Sequence, residues 1–187
     1  MLKRILYHLS KLFHGFYAPR MIYYKKDFQK KPIKNLRIGN TTFIDASKNL
    51  KLADNVYIGH HNFIEASNGV EIHEGCQITS FITMTSHSSH HSIRYYGSSY
   101  ANFEDHLGYV KGAISIGKFT YIGPYVTIMP GTTIGEGSII SAYSYVKGTF
   151  PPYSIIAGNP ATVVGSVTEK DKQFLDVHPE LHHHYMK

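Results

Sequence analysis

The feature that most constrains this chain is an aliphatic residue that returns every six positions in its second half. The positions are Ile116, Ile122, Ile128, Ile134, Ile140 and Val146, and Gly117, Gly123 and Gly135 directly follow three of them. A period of six matches neither the 3.6 residues of a helical turn nor the simple two-residue alternation of a strand. It is typical of a short strand and a turn repeated at constant length, so we predict a solenoid in which these side chains stack inward in rows.

The same register extends towards the N-terminus, with two-residue changes of phase. It runs through Ile38, Ile44, Leu52, Ile58, Ile64, Ile72, Ile78 and Met84. The segments DASKNLKLADNVYIG and EASNGVEIHEGCQIT match at an offset of twenty residues. Because three six-residue units form one triangular coil, we predict an all-β solenoid domain over residues 35–167.

The pattern breaks over residues 85–113, which read TSHSSHHSIRYYGSSYANFEDHLGYVKGA. A long insertion without its own periodicity in a compact repeat is more often functional than accidental. Its tyrosines lie beside Arg94, Glu104 and Asp105, a mixture that suits a sugar-binding wall because rings stack on sugars and carboxylates accept hydrogen bonds from hydroxyls. The other interpretation is that the aromatic side chains pack on a neighbouring subunit.

Positive charge is concentrated at the N-terminus. Residues 1–37 contain ten Lys and Arg and one acidic residue, whereas the remaining residues contain nine Lys and Arg and twelve acidic residues. A basic charge confined to one segment, without a recognition module, argues against nucleic-acid binding. The single cysteine, Cys76, cannot form an internal disulfide, which favours a reducing compartment.

The segment MLKRILYHLSKLFHGFYAPRM places apolar side chains at helical spacing, with Lys3, Arg4, His8 and Lys11 between them. We therefore predict a basic amphipathic helical segment over residues 1–34. The interleaved charges argue against a signal peptide and a membrane span, so we expect a cytoplasmic protein. Two placements stay open for the helix: it packs on the domain, or it lies peripherally on the inner membrane face. A second short helix is expected in the tail, residues 168–187.

Three segments carry a resemblance to a known family. They are TSHSSHHSIR, ISIGKFTYIGPYVTIMPGTTIGEGSIISAYSYV and PPYSIIAGNPATVV. They resemble the hexapeptide-repeat acyltransferases, and among them the galactoside and maltose acetyltransferase branch that includes surface-polysaccharide O-acetyltransferases. The resemblance implies a left-handed parallel β-helix that forms a homotrimer. It also implies that acetyl-CoA, as co-substrate, and a carbohydrate acceptor meet in clefts between adjacent subunits.

The resemblance also implies a catalytic base. The family's T-x-H motif falls on Thr85, Ser86 and His87. A neutral imidazole at His87 can take the proton of a sugar hydroxyl as that hydroxyl attacks the thioester, so we expect direct transfer without an acyl-enzyme. The alternative is a loop histidine without a catalytic role. Cys76 lies inside the repeat register, and we expect it to be packed and not nucleophilic.

By the same resemblance the acceptor site consists of Tyr57, His60, His61, His90, His91 and Arg94. His90 and His91 match paired histidines of the galactoside branch, and we expect them to line the acceptor pocket or to orient His87. The alternative for Tyr57, His60 and His61 is that they are solvent-facing turn residues. We expect no metal site, because no convincing carboxylate ligand lies near these histidines.

The cofactor-binding residues that the resemblance implies are Tyr121, Gly123, Ser141, Ala142, Lys147, Asn159 and Pro160. Tyr121 matches an aromatic beside the pantetheine arm, and Asn159 and Pro160 lie in the expected adenine-end turn. The family usually has a Lys or Arg after the NPA sequence, whereas this chain has TVVGSV. Lys147 is our substitute for that phosphate contact.

The sequence is therefore interpreted as an acetyl-CoA-dependent O-acetyltransferase that acts on a sugar of a surface polysaccharide or its precursor. The principal alternative is an N-acetyltransferase of a nucleotide-linked amino sugar. A non-catalytic β-helix scaffold and a carbonic-anhydrase-like metal protein of similar repeat are the further alternatives.

Overall fold

The computed structural model describes residues 2–186, apart from the side chains of Leu12, His14, Phe16 and Tyr17. Two apolar positions of the predicted N-terminal helix, Leu12 and Phe16, therefore have side chains outside the described part. The helices are α1 (Leu2–Tyr17), α2 (Ser92–Tyr96) and α3 (Val167–Val177), with 3-10 turns at Ser47–Asn49, Gly97–Asn102 and Pro179–His183.

The strands of the first half are β1 (Met21–Lys26), β2 (Pro32–Gly39), β3 (Phe43–Asp45), β4 (Leu50–Leu52), β5 (Tyr57–Ile58), β6 (Phe63–Glu65), β7 (Val70–Ile72), β8 (Gln77–Ile78), β9 (Thr83–Thr85) and β10 (His87–Ser88). Those of the second half are β11 (Val110–Lys111), β12 (Ile114–Ile116), β13 (Tyr121–Ile122), β14 (Thr127–Ile128), β15 (Thr133–Ile134), β16 (Ile139–Ile140), β17 (Tyr145–Val146), β18 (Thr149–Phe150), β19 (Ser154–Gly158) and β20 (Ala161–Ser166).

These strands form a three-sided parallel β-helix. Face A contains β2, β5, β8, β13, β16 and β19, with β1 and β20 added antiparallel at its two ends. Face B contains β3, β6, β9, β14 and β17, and face C contains β4, β7, β12, β15 and β18. The observed register pairs Arg37 with Tyr57 and Ser115 with Thr133, which confirms the predicted solenoid and its change of coil length.

The core consists of one inward row of aliphatic side chains per face. On face A the row is Ile38, Ile58, Ile78, Ile122, Ile140 and Ile156; on face B it is Ile44, Ile64, Met84, Ile128 and Val146; on face C it is Leu52, Ile72, Ile116, Ile134 and Phe150. Apart from partly buried Ile44, these side chains are at most 8% exposed. Each residue packs on its counterpart in the next coil, so the six-residue period is the packing repeat of the core.

The insertion leaves this register intact. Across it Ile72 still pairs with Ile116, and Met84 still pairs with Ile128. The antiparallel strands β10 and β11 close the neck of the inserted loop, with His87 opposite Lys111. The loop therefore projects from the edge between faces B and C without disturbing the stack, and it begins with His87.

The predicted helical segment over residues 1–34 is only partly helical. The helix ends at Tyr17, close before Pro19, and residues 21–26 form β1, which pairs antiparallel with β2. Proline restricts the residue before it to extended conformations, and the aromatic and aliphatic residues of MIYYKK favour a strand. At the other end α3 begins at Val167, where Ser166 caps the helix by accepting a hydrogen bond from the Glu169 amide.

The two neighbouring isoleucines of β16 test the inward rows. Ile140 is fully buried in the face A row, whereas Ile139 points outward and is partly exposed. We expect Ile140→Ala to lower the free energy of unfolding by about 2–5 kcal/mol, because it leaves a cavity in the stack. Ile139→Ala should lower it by less than half as much. Denaturant unfolding at one fixed protein concentration measures both, and equal losses would contradict the assignment of the core face.

Candidate functional site

The side chain of His87 is held by a buried carboxylate. Its Nδ1 lies 2.8 Å from Oε2 of Glu65 and 3.2 Å from Oγ of Ser67. Glu65 is 3% exposed, while a third of the His87 side chain is accessible. An ionised carboxylate only accepts hydrogen bonds, so Nδ1 of His87 carries the proton that it donates to Glu65. The other ring nitrogen, Nε2, then has a free lone pair.

Glu65 is itself well supplied with donors. Its Oε1 accepts from the Ser67 amide at 2.6 Å, and its Oε2 accepts from the amide and hydroxyl of Ser86, both at 2.9 Å. Burial raises the pKa of this carboxyl, but the hydrogen bonds from Ser67 and Ser86 outweigh burial and lower the pKa to about 2. Glu65 is therefore a carboxylate at physiological pH, although it is almost inaccessible to water.

The coil repeat explains how Glu65 and His87 meet. Face B pairs Glu65 with Thr85, twenty residues further on, so the corner after β6 lies directly against the corner after β9. In the coil that contains Glu65, the corner after β6 has two more residues than the corners of the six-residue repeat. In the next coil, the equivalent corner after β9 contains the inserted loop. Our sequence reasoning did not identify Glu65, yet the offset of twenty that it found is the signal that places Glu65 beside the T-x-H motif.

A polar cavity lies next to His87 under the inserted loop. It has a volume of about 400 Å³ and is lined by Ser67, Asn68, Tyr100, Glu104, His106, Tyr109 and Lys111. The Tyr109 ring stacks on His87 with centroids 5.4 Å apart, and His106 stacks on Tyr100 at 3.9 Å. The cavity thus combines aromatic walls with a carboxylate, an ammonium and amide groups. Asn68, His106 and Lys111 were not among our sequence-predicted site residues, because no spacing pattern links them before the loop folds.

His90, His91 and Arg94 form a cluster further along the loop. The rings of His90 and His91 have centroids 4.0 Å apart, and Arg94 contacts both Nδ1 of His91, at 3.0 Å, and the backbone oxygen of His90. Desolvation and the positive charges of His91, Lys147 and Arg94 lower the pKa of His90. Lys147 follows β17 at the same edge of the prism, so it belongs to this basic cluster. Within the described residues, Glu65, Ser67 and Tyr109 contact the His87 side chain; the histidine pair does not orient it.

The remaining predicted residues lie on another side of the prism. Tyr57 and Tyr121 point outward in one row of face A with Gln77 between them, and the Arg37 guanidinium lies over the Tyr57 ring at 5.4 Å. His60 and His61 occupy the corner between faces A and B, where His60 Nδ1 contacts Thr41 Oγ1 at 3.2 Å. They lie in a partly exposed turn, which agrees with the alternative that they are solvent-facing turn residues.

The same edge between faces A and B also contains the other predicted cofactor residues. Ser141 and Ala142 lie at this corner, and the backbone of Gly123 in the preceding coil contacts them closely. A Cβ on Gly123 would lie 2.8 Å from the Ala142 amide nitrogen. Close stacking of successive coils therefore accounts for this glycine without a ligand. Asn159 and Pro160 form the exposed turn between β19 and β20.

An aromatic stack runs along this edge. It consists of His61, Phe81, Tyr125 and Tyr143, whose successive ring centroids are 4.9–5.1 Å apart. Phe81 and Tyr125 are nearly half exposed, and Tyr143 is 71% exposed. A single chain thus brings His87, His90, His91, Arg94 and Lys147 to one edge and places the other predicted site residues on or beside a second edge.

Cys76 is packed, as predicted. Its side chain is fully buried, its thiol donates to the backbone oxygen of Gly117 at 3.1 Å, and burial raises its pKa to about 11. A thiol in this state is inert as a nucleophile. In the part of the chain that the structure describes, no group of three or more His, Cys, Asp or Glu side chains is arranged to hold a metal ion.

Comparison with known proteins agrees with the repeat. Residues 113–148 match the family described as bacterial transferase hexapeptide (six repeats). The repeat that this family model describes therefore lies in the second half of the solenoid. The galactoside O-acetyltransferase of Escherichia coli (strain K12) is 29% identical over 143 residues, which are 75% of this chain and 66% of that protein. This chain thus spans slightly under two thirds of that relative, and about a third of the Staphylococcus aureus acetyltransferases that it also matches.

Solved structures confirm the left-handed β-helix fold of this chain. A maltose O-acetyltransferase from Clostridium difficile 630 superimposes with a TM-score of 0.59 at 22% identity, covering 73% of this chain and 67% of that one. The N-acyltransferase AntD from Bacillus cereus, in complex with dTDP and 3-hydroxybutyryl-CoA, superimposes with a TM-score of 0.55 at 18% identity, covering 79% and 90%. The resemblance to the galactoside and maltose acetyltransferase branch is confirmed.

The lowered pKa of Glu65 predicts how stability depends on pH. Because the folded-state pKa lies below the ordinary value of 4.5, this carboxylate contributes stability above about pH 4.5 that is lost as the pH falls towards 2. A shift of this size corresponds to about 3 kcal/mol. We expect the difference in unfolding free energy between the native protein and Glu65→Gln to shrink by that order between pH 6 and pH 2. Denaturant titrations of both proteins across that range measure it, and a difference independent of pH would contradict the assignment.

Proposed function

We propose that the protein is an acetyl-CoA-dependent O-acetyltransferase that transfers acetyl to a sugar hydroxyl of a surface polysaccharide or its precursor. One observation carries the proposal: His87, a third of whose side chain is accessible, is oriented at 2.8 Å by the buried carboxylate of Glu65 and lies beside a polar cavity. This is the arrangement of a general base with its orienting group.

The geometry gives each group a defined step. With its Nδ1 proton held by Glu65, His87 takes the hydroxyl proton of the acceptor at Nε2. The hydroxyl oxygen forms a bond to the thioester carbonyl carbon, the carbon–sulfur bond breaks, and the imidazolium returns its proton to the departing CoA thiolate. Glu65 stabilises the imidazolium between these steps without taking its proton, as the carboxylate does in a Ser-His-Asp triad. No acyl-enzyme is needed, and buried Cys76 has no part in the reaction.

The cavity lined by the inserted loop is the proposed acceptor site. Tyr100 and Tyr109 offer ring surfaces, while Asn68, Glu104 and Lys111 offer hydrogen-bond donors and acceptors. This combination suits a carbohydrate, since sugars present apolar ring faces and polar hydroxyl edges. Similarity to the galactoside O-acetyltransferase of Escherichia coli supports a sugar acceptor and an O-acetyl product.

The principal alternative function is N-acetylation of a nucleotide-linked amino sugar. Glu104 in the cavity favours it, because a carboxylate can pair with the ammonium group of such an acceptor before that group is deprotonated. The base chemistry of His87 serves both reactions. Acceptor profiling separates the two, since only an amino sugar would support turnover under the second proposal.

The complete site is proposed to form between subunits of a homotrimer. The predicted base lies at one edge of the prism, whereas Tyr121, Gly123, Ser141 and Ala142 lie on or beside another. A ring of three subunits uses heterologous contacts, in which two different surfaces of the same chain meet. Such a contact would bring the edge carrying the aromatic stack of one copy against the loop edge of the next, so that acetyl-CoA and acceptor meet between them.

Thiol release from acetyl-CoA tests the chemistry. We expect the native protein to release CoA with a panel of sugars and sugar precursors that lack amines. His87→Ala should lower kcat by about 10²–10⁴ while CoA binding is retained, because the general base is lost. Glu65→Gln should lower kcat by a comparable factor, because the wrong imidazole tautomer is then favoured.

His73→Ala is the matched control, since His73 is a partly exposed histidine on another corner of the prism, beside Glu71. It should leave turnover unchanged. Turnover with amino sugars alone would establish the alternative function, N-acetylation. The absence of both turnover and CoA binding in the native protein would mean that the solenoid is a non-catalytic scaffold.

Mixed oligomers test the shared site. His87→Ala removes the base, and Ala142→Trp places an indole at an exposed corner in the proposed CoA groove. Each variant alone should be inactive, but co-expressed or co-refolded subunits should recover part of the activity, because some contacts then combine an intact His87 with an intact Ala142. Mixtures that stay as inactive as the separate variants, despite measured subunit exchange, would contradict a site between subunits.

A further inference from the structure

The apolar side of the first half of α1 is exposed. Leu2, Ile5, Leu6 and Leu9 are 71%, 47%, 55% and 45% exposed. At 100° per residue these four side chains fall within about 100° of one another around the helix, so they form one continuous apolar stripe. The alternative that this helix packs on the domain does not hold for these residues. By contrast, α3 buries Val167 and Leu175.

The opposite side of α1 is basic. Lys3, Arg4 and Lys11 fall within about 100° of one another on the polar side, and residues 2–17 contain no Asp or Glu. A helix with a strong apolar stripe, a cationic face and no acidic residue is the type that lies in the interface of an anionic bilayer. No helix among residues 2–186 has the length and apolarity needed to cross a membrane.

The strands next to α1 extend the basic surface. The hairpin of β1 and β2 exposes Lys25, Lys26, Lys30, Lys31 and Lys34. In the described residues no Lys or Arg forms an ion pair with an acidic side chain, so these charges are not neutralised within the chain. This surface, formed by α1 and the lysines of the hairpin, lies at the N-terminal end of the prism.

The segment that follows α1 is fastened to the first coil. The amide of Arg20 donates to Asn40 Oδ1 at 2.8 Å, the Asn40 amide donates to the Arg20 oxygen at 3.0 Å, and Asn40 Nδ2 donates to the Ala18 oxygen at 3.3 Å. These hydrogen bonds fix the point from which α1 leaves the prism. A surface that binds through α1 would therefore lie at a defined end of the molecule.

We propose that α1 and the basic hairpin dock the protein on an anionic lipid bilayer, with the apolar stripe inserted among the lipids and the lysines against the headgroups. The inference is independent of acetyl transfer, but together with the proposed function it defines an acceptor class. His87 follows a strand two coils beyond β3, and neighbouring strands are about 4.8 Å apart. The site then lies on the order of 10 Å beyond the first coil, within reach of a sugar carried by a membrane lipid.

The experiment is vesicle co-sedimentation of the full-length protein. We expect binding to vesicles of phosphatidylcholine mixed with phosphatidylglycerol, weakening with added salt, and little binding to phosphatidylcholine alone. Leu6→Gln with Leu9→Gln should weaken binding roughly tenfold or more for each leucine, because the buried apolar area is lost while the charge is kept. Lys3→Gln, Arg4→Gln and Lys11→Gln together should weaken it by about fivefold per charge. Tyr7→Gln, on the polar side of α1, is the matched control and should bind like the native protein.

Two outcomes would overturn the proposal. Equal binding of the native protein and the double leucine variant would show that the stripe does not insert. Self-association in the absence of lipid that depends on Leu6 and Leu9 would show that the stripe joins copies of this chain. CoA release with a soluble sugar, measured on the same variants, should equal that of the native protein; its failure in every variant and in the native protein would count against the enzyme and not against membrane docking.

Discussion

The stacking of apolar inward side chains from coil to coil is the interaction on which the rest of this structure depends. Each coil buries its aliphatic residues only because the next coil presents a matching residue at the same place. The coil length must therefore be kept, or changed by whole insertions at a corner that leave the rows in register. Across the longest insertion Met84 still packs with Ile128, which shows how strictly the register is maintained.

That constraint also decides where chemistry can occur. The aliphatic rows occupy the inward positions, and the strands themselves are short and regular. Irregular backbone is therefore confined to the corners and to the two ends of the prism. The corner between faces B and C is the one that varies: it accepts two extra residues after Glu65 and the whole loop after Thr85. Because coils stack directly, the smaller insertion supplies Glu65 and Ser67 to support His87 at the start of the larger one.

Much of the fold could be predicted from the sequence because the period is a local signal. Ile58 and Ile122 are both recognised by spacing alone, without knowledge of what they touch. The same reasoning identified His87 through the resemblance of its motif, but it missed Glu65 and expected the histidine pair to line the acceptor pocket or to orient His87. Glu65 is separated from His87 by a complete coil of the chain. The residues next to Glu65 in the sequence form no pattern that indicates a buried, ionised carboxylate.

The sequence by itself determined the solenoid, its inward rows, the position of the insertion and the amphipathic character of α1, because each of these is a periodicity that neighbouring residues display. Only the tertiary structure decided which side chains meet: the pairing of Glu65 with His87, the cavity behind Tyr109, and the separation of the predicted base, at one edge, from Tyr121 on face A. The physical reason is that a coil of about twenty residues returns to its starting corner, so contacts depend on the full path of the chain and not on its local pattern.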